Sequence, residues 1–130
     1  MRVNYPLAGI LSAAALCLLP LQPAQAAPFS SCPTEAFLTQ GSPARLYGVN
    51  LTSGIYDELG DLNTAGKLNA MGFNYNDGFL YAWYYQGQTL ARIHADYTIE
   101  PLSLGTSLGS NYYVGDVAID ENAYYIYRKS

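Results

Sequence analysis

Four groups of residues in this chain have types and spacings that could do chemistry, and each has a competing structural role. Gly105-Thr106-Ser107-Leu108-Gly109 carries the G-x-S-x-G spacing of a nucleophile elbow. That motif works when a strand feeds the serine, a helix leaves it, and an acid and a histidine follow. Here residues 110–120 read as loop and strand, and the sole histidine, His94, lies upstream. A Gly/Ser-rich turn is the reading. His94 has no second histidine or exported cysteine cluster with which to share a metal, so it reads as an exposed or half-exposed structural residue. Asn74-x-Asn76-Asp77-Gly78 hints at a calcium loop, but an EF-hand needs oxygen ligands at alternate positions before its glycine and a glutamate six beyond. Phe73, Tyr75 and Tyr84 fall at three of those places, and a hairpin turn explains the motif without metal. Asp57, Glu58 and Asp61 could supply the carboxylate pair of a glycosidase. Adjacent strand residues point to opposite faces, so Asp57 and Glu58 form no natural pair and a solvated turn is expected. No catalytic, cofactor-binding or metal-binding residue is assigned.

The aromatic runs are the better surface candidates. Trp83-Tyr84-Tyr85, Tyr112-Tyr113 and Tyr124-Tyr125 bring large contact area with a polar tip, which suits a glycan or protein ligand. Trp83, Tyr84, Tyr85, Tyr112 and Tyr113 are therefore the candidate ligand-binding residues. In strands, half of each run must turn inward, so packing between sheets competes with binding for the same side chains.

Composition narrows the classes. Half of the residues are apolar, which excludes an intrinsically disordered chain. Six Lys plus Arg against ten Asp plus Glu give a net charge of −4, the wrong sign for a nucleic-acid footprint. Thirteen tyrosines and twelve glycines favour a β protein with many turns.

Residues 1–26 read as a secretory signal peptide. Arg2 supplies the positive end, a mostly apolar stretch runs from Leu7 to Leu19, and Ala24-Gln25-Ala26 is a small-x-small cleavage site. The stretch is shorter than the roughly 20 residues of a membrane-spanning helix, so no membrane span is expected after cleavage. Bulky Leu16 before Cys17 argues against a lipid anchor. Cys32 alone survives cleavage and cannot close a disulfide within these residues; it is a free, partly buried thiol, or it bridges to another chain or to a further part of this one. Asn50-Leu51-Thr52 has the pattern of a glycosylation site, but a simple signal peptide gives little reason to expect modification.

Beyond a short extension at 27–35, residues 36–130 read as short strands separated by turns. Asn76-Asp77-Gly78 predicts a hairpin with a type I′ turn. Thr52-Ser53-Gly54 and Tyr85-Gln86-Gly87-Gln88 mark two more turns. The pattern repeats: Tyr47, Val49 and Leu51 alternate as Ala91, Ile93 and Ala95 do, Ile55 matches Ile99, Met71 and Phe73 match Val117 and Ile119, and Asp77-Gly78 matches Asn122-Ala123. The first unit is predicted as strands at 46–51, 55–59, 68–74 and 79–84, with a second unit repeating that order. Residues 36–40 look like the closing strand of an earlier unit. Four strands in roughly 40 to 50 residues is the period of a β-propeller blade. The fold class expected is thus all-β: two four-stranded blade repeats plus one N-terminal strand, an incomplete propeller. Two such units leave apolar faces uncovered, which implies part of a longer repeat array, self-association, or a small two-unit sandwich; the first is preferred.

The same residues carry a resemblance. Cys32-Pro33, Leu46-Tyr47-x-Val49-x-Leu51-x-x-Gly54, Leu68-Asn69-Ala70-Met71-Gly72-Phe73-Asn74, Asp77-Gly78-x-Leu80-Tyr81-Ala82 and Gly115-Asp116-Val117 resemble an uncharacterised propeller-like repeat domain of bacterial secreted and surface proteins, of which this chain would be the N-terminal portion. Asn122-Ala123 departs from that pattern, which has glycine at the turn. The resemblance implies no catalytic residues. The function expected is an exported, non-enzymatic module that binds or scaffolds at the cell surface or in the periplasm. A propeller-type enzyme with its active residues elsewhere, and an aromatic glycan-binding module, are the alternatives. Partners would be a protein, a glycan or a second copy, with no nucleic acid and no cofactor.

Overall fold

A computed structural model describes residues 27–29, 35–63 and 66–128. The predicted leader at 1–26 and Cys32 lie outside the described residues. The regular elements among those described are all strands: β1 (Glu35–Gln40), β2 (Arg45–Asn50), β3 (Tyr56–Asp61), β4 (Leu68–Asn74), β5 (Phe79–Tyr84), β6 (Thr89–Ile93), β7 (Ile99–Pro101), β8 (Tyr112–Ala118) and β9 (Ala123–Arg128). They form three antiparallel sheets, β1-β2-β3 (sheet I), β4-β5-β6-β7 (sheet II) and β8-β9 (sheet III), none closed into a barrel. No helix among the described residues is long and apolar enough to cross a membrane.

The all-β class and the strands are those expected, but the sheets are cut in a different phase. The full four-stranded sheet begins at Leu68, two strands later than the predicted unit, so the N-terminal strand β1 hydrogen-bonds to β2 within sheet I. Periodicity sets the length of a repeat without saying where one sheet ends. The connections decide that. The longest separations in sequence, Asp61 to Leu68 and Pro101 to Tyr112, fall between strands of different sheets, whereas four or five residues join strands within one. Pairing also sharpens the repeat. Ala36 faces Val49 in β1–β2 as Leu80 faces Ile93 in β5–β6, and Asn74 faces Phe79 in β4–β5 as Ala118 faces Ala123 in β8–β9. Equivalent residues of these strands are therefore 44 apart, so Phe73 corresponds to Val117 rather than Ile119, and Gly78 to Asn122 rather than Ala123; β3 and β7 alone differ by one, since Val49 faces Tyr56 as Ile93 faces Ile99. The turn after β4 differs from type I′ as well. Four residues link the strands, and only Gly78 among them has positive φ, +74°. Asn122 takes φ 49° at the equivalent place, a conformation asparagine tolerates better than other side chains. The departure in sequence therefore preserves the backbone.

Sheet II is packed on both faces, because alternate residues of its strands are apolar in both directions. Leu80, Ala82 and Ile93 meet Ala44, Leu46 and Leu62 of sheet I in the main core, each 0–1% exposed. Burying one such leucine or isoleucine stabilises by roughly 1.5–3 kcal/mol. The Phe37 and Phe73 rings stack across this interface at 6.0 Å. On the opposite face, Trp83 meets Tyr112 of sheet III at 4.7 Å and Tyr81 meets Tyr124 at 6.2 Å. Strands β4 and β8 run side by side at close range, with Gly72 and Gly115 at the contact. Part of the predicted extension also belongs to this body. The Phe29 N–H donates to the Gly78 carbonyl, the Ala95 N–H donates to the Ala27 carbonyl, and the Phe29 ring lies 5.2 Å from Phe37.

Candidate functional site

Three strand ends converge on one side of the molecule: the end of β1, the junction entering β4 with the end of β5, and the loop entering β8. Between them lies a groove of about 610 Å³, within the range of small-ligand sites. One wall is the β1–β2 turn, with Thr39, Gln40 and Ser42; Gly41 allows its tight reversal at φ +94°. The other walls carry Lys67 and Asn69 at β4, Tyr85 after β5, and Asn111 and Tyr113 at β8.

Each aromatic residue is held by its backbone neighbours. The Tyr85 N–H donates to the Lys67 carbonyl at 3.2 Å, and its hydroxyl donates to the Tyr112 carbonyl at 3.0 Å. That second bond ties sheet II to sheet III across the groove. A bulge in β8 between Tyr112 and Val114 leaves Tyr113 unpaired and 52% exposed, so its ring can meet a ligand. Among the described residues, the lining holds amides, hydroxyls, one ammonium and two phenol rings, and no carboxylate. Such a set stacks on apolar faces and hydrogen-bonds to hydroxyls.

The structure divides the five candidate aromatics. Tyr85 and Tyr113 line the groove together. Trp83 is wholly buried, and its indole packs on Tyr112, so it supports the site from beneath and presents no surface. Tyr112 is half-buried, with the Arg128 guanidinium 5.8 Å from its ring centre. Tyr84 turns toward sheet I and packs on the main core. Position in the pleat separates these roles, since neighbours in a run face opposite ways.

The other motifs resolve as follows. Ser107 is exposed in the loop between β7 and β8, which continues into a strand with no helix among the described residues. His94 is buried, 5% exposed, contrary to the exposed or half-exposed position expected. The cause is the Phe79 ring at 5.1 Å and Glu100, whose carboxylate lies 3.2 Å from His94 Nε2. Glu100 is gripped twice by the Arg92 guanidinium, at 2.6 and 3.0 Å, which holds its carboxyl below the usual carboxylate range. Asp57, Glu58 and Asp61 lie in strand β3 rather than in a turn. They are exposed, and Glu58 pairs with Arg45 at 2.6 Å. Asp77 closes its turn by accepting the Phe79 N–H and the Tyr81 hydroxyl. No group of three or more potential metal ligands occurs among the described residues.

Lys67, Asn69 and Asn111 escaped the sequence reading, although a signal for them exists. At the 44-residue spacing, Lys67 corresponds to Asn111, Asn69 to Tyr113, and Gly41 to Tyr85. Core pairs such as Val49 and Ile93 or Phe73 and Val117 stay apolar, whereas these three pairs change chemistry at one end of the sheets.

An all-β stack of similar sheets with a polar, aromatic groove at one end defines a repeat protein. Residues 37–130 match the family described as "Repeat of unknown function (DUF6923)", and the chain belongs to that family. No curated protein and no solved structure matches the chain.

Proposed function

We propose that this chain is an exported, non-enzymatic binding module, acting at the cell surface or in the periplasm of a bacterium, and that its ligand is an oligosaccharide held in the groove at Tyr85 and Tyr113. The observation that carries this reading is the convergence, from three different sheets, of two tyrosine rings with Gln40, Asn69, Asn111 and Lys67 around one opening. Aromatic faces stack on the C–H faces of sugar rings, while amides satisfy their hydroxyls. A single lysine with no lining carboxylate admits neutral or acidic sugars. Export is supported by residues 1–26, whose charge, apolar stretch and Ala24-Gln25-Ala26 site form a leader.

A glycan array probed with the purified protein tests the reading, followed by titration of the strongest hit. Tyr113→Ala is expected to weaken binding at least tenfold while leaving thermal unfolding unchanged. Absence of any glycan signal, or binding by Tyr113→Ala and Lys67→Ala as tight as that of the wild type, would overturn it.

A further inference from the structure

The two outer faces of the stack are the same two kinds of face that sheet II buries. On sheet I, cross-strand pairing puts Leu38, Tyr47 and Val49 on the side away from sheet II. Their equivalents 44 residues on are Ala82, Ala91 and Ile93, which are 0% exposed because sheet I covers them. Leu38 itself is 46% exposed, and Tyr56, whose ring lies 6.0 Å from Tyr47, is 64% exposed. On sheet III, Val114, Tyr125 and Tyr127 share the side away from sheet II. Tyr125 and Tyr127 are the equivalents of Tyr81 and Trp83, the residues that sheet III covers, yet they are 58% and 66% exposed. Exposed apolar patches of this kind mark interaction surfaces.

We propose that a second copy of the chain covers both faces, the outer face of sheet III in one copy seating on the outer face of sheet I in the other. This contact continues the interface already made twice within the chain, I on II and II on III, with the same kinds of surface in the same order. Edge-to-edge joining fits less well. β1, β5 and β9 are equivalent strands at the 44-residue spacing, so β9 and β1 hold the same place in their sheets and neither supplies what the other lacks. A head-to-tail contact closes into a ring when the rotation allows. Stacked sheets of this type close at roughly four to eight, and two copies bring six. The assembly is therefore a dimer with two identical contacts, and it does not depend on what the groove binds.

Sedimentation velocity on the full chain over a concentration series tests this, with Tyr127→Glu and Leu38→Glu as variants. Both side chains are exposed in the single chain, so both variants should fold, which circular dichroism checks. The wild type is expected to dimerise reversibly, and each variant alone to lose the dimer. Mixing the two variants should restore a dimer, because one undamaged sheet III face then meets one undamaged sheet I face. A wild type that stays monomeric overturns the proposal and leaves both faces to other proteins. A dimer untouched by either substitution, or no recovery on mixing, overturns the head-to-tail arrangement.

Discussion

Gly72 and Asp116 meet backbone to backbone: a methyl carbon on Gly72 would lie 2.8 Å from the Asp116 Cα and 2.8 Å from the Val117 nitrogen. The relationship is reciprocal along the same seam, since a methyl carbon on Gly115 would lie 2.5 Å from the Ala70 carbonyl oxygen. Sheets II and III approach through these two gaps, so their spacing is set by glycine.

Gly72→Ala should therefore force β4 and β8 apart. The neighbour is backbone and cannot rotate away, so overpacking costs about 1–3 kcal/mol. Urea denaturation followed by tryptophan fluorescence checks this, because Trp83 reports on the same interface. An unchanged midpoint would mean that the sheets separate freely.

Trp83→Ala and Tyr113→Ala should behave oppositely. Trp83 is fully buried, and its removal should cost about 3–5 kcal/mol. Tyr113 is half exposed, and its removal should shift stability by no more than about 0.5 kcal/mol. Thermal or chemical unfolding of the two variants side by side separates support from surface.

Stability should fall at alkaline pH through Tyr81 and Tyr124. Burial, aided by the bond to Asp77, pushes the Tyr81 hydroxyl from 10.0 up to about 12, and burial beside Asp116 pushes Tyr124 up as well. The folded state then keeps protons that the unfolded chain releases above pH 10. Unfolding is favoured as pH rises, with the Tyr81 part lost between pH 10 and about 12. Tyr81→Phe should remove that part of the slope, as read from unfolding midpoints across this range and from tyrosinate absorbance.

Asn122 serves two purposes that substitution can separate. It holds φ 49°, and its Oδ1 accepts the Nδ2 of Asn74 at 2.9 Å and of Asn76 at 3.3 Å. Asn122→Gly keeps the backbone and loses only the shared acceptor of buried Asn74 and exposed Asn76, a cost of about 1 kcal/mol, mostly through Asn74. Asn122→Ala also strains the turn and should cost about 2–3 kcal/mol. Equal losses in the two variants, measured by urea denaturation, would show that the backbone conformation contributes nothing.

Much of the fold was legible from particular residues. Alternation of Tyr47, Val49 and Leu51 marked a strand, because the pleat turns successive side chains to opposite faces. The recurrence of Tyr47 and Val49 as Ala91 and Ile93 marked a repeat. The sheet boundary at Leu68 was not legible, since a periodic pattern looks alike from any starting point. The site was half legible. Tyr85 and Tyr113 stood out as aromatic residues, while Lys67, Asn69 and Asn111 are ordinary polar residues whose convergence depends on three sheets meeting. His94 misled for a similar reason: nothing near it in the chain announces Phe79 or Glu100 as its neighbours.

By itself the sequence determined what is local: strand identity, the glycine and asparagine turns, the length of the repeat, and the leader-like character of residues 1–26. Tertiary structure alone decided which strands share a sheet, and which tyrosines are buried and which line the groove. Local propensity and the pleat act between near neighbours in the chain. Sheet grouping and burial depend on packing between residues dozens of positions apart, where Trp83 finds Tyr112 and Gly72 finds Asp116.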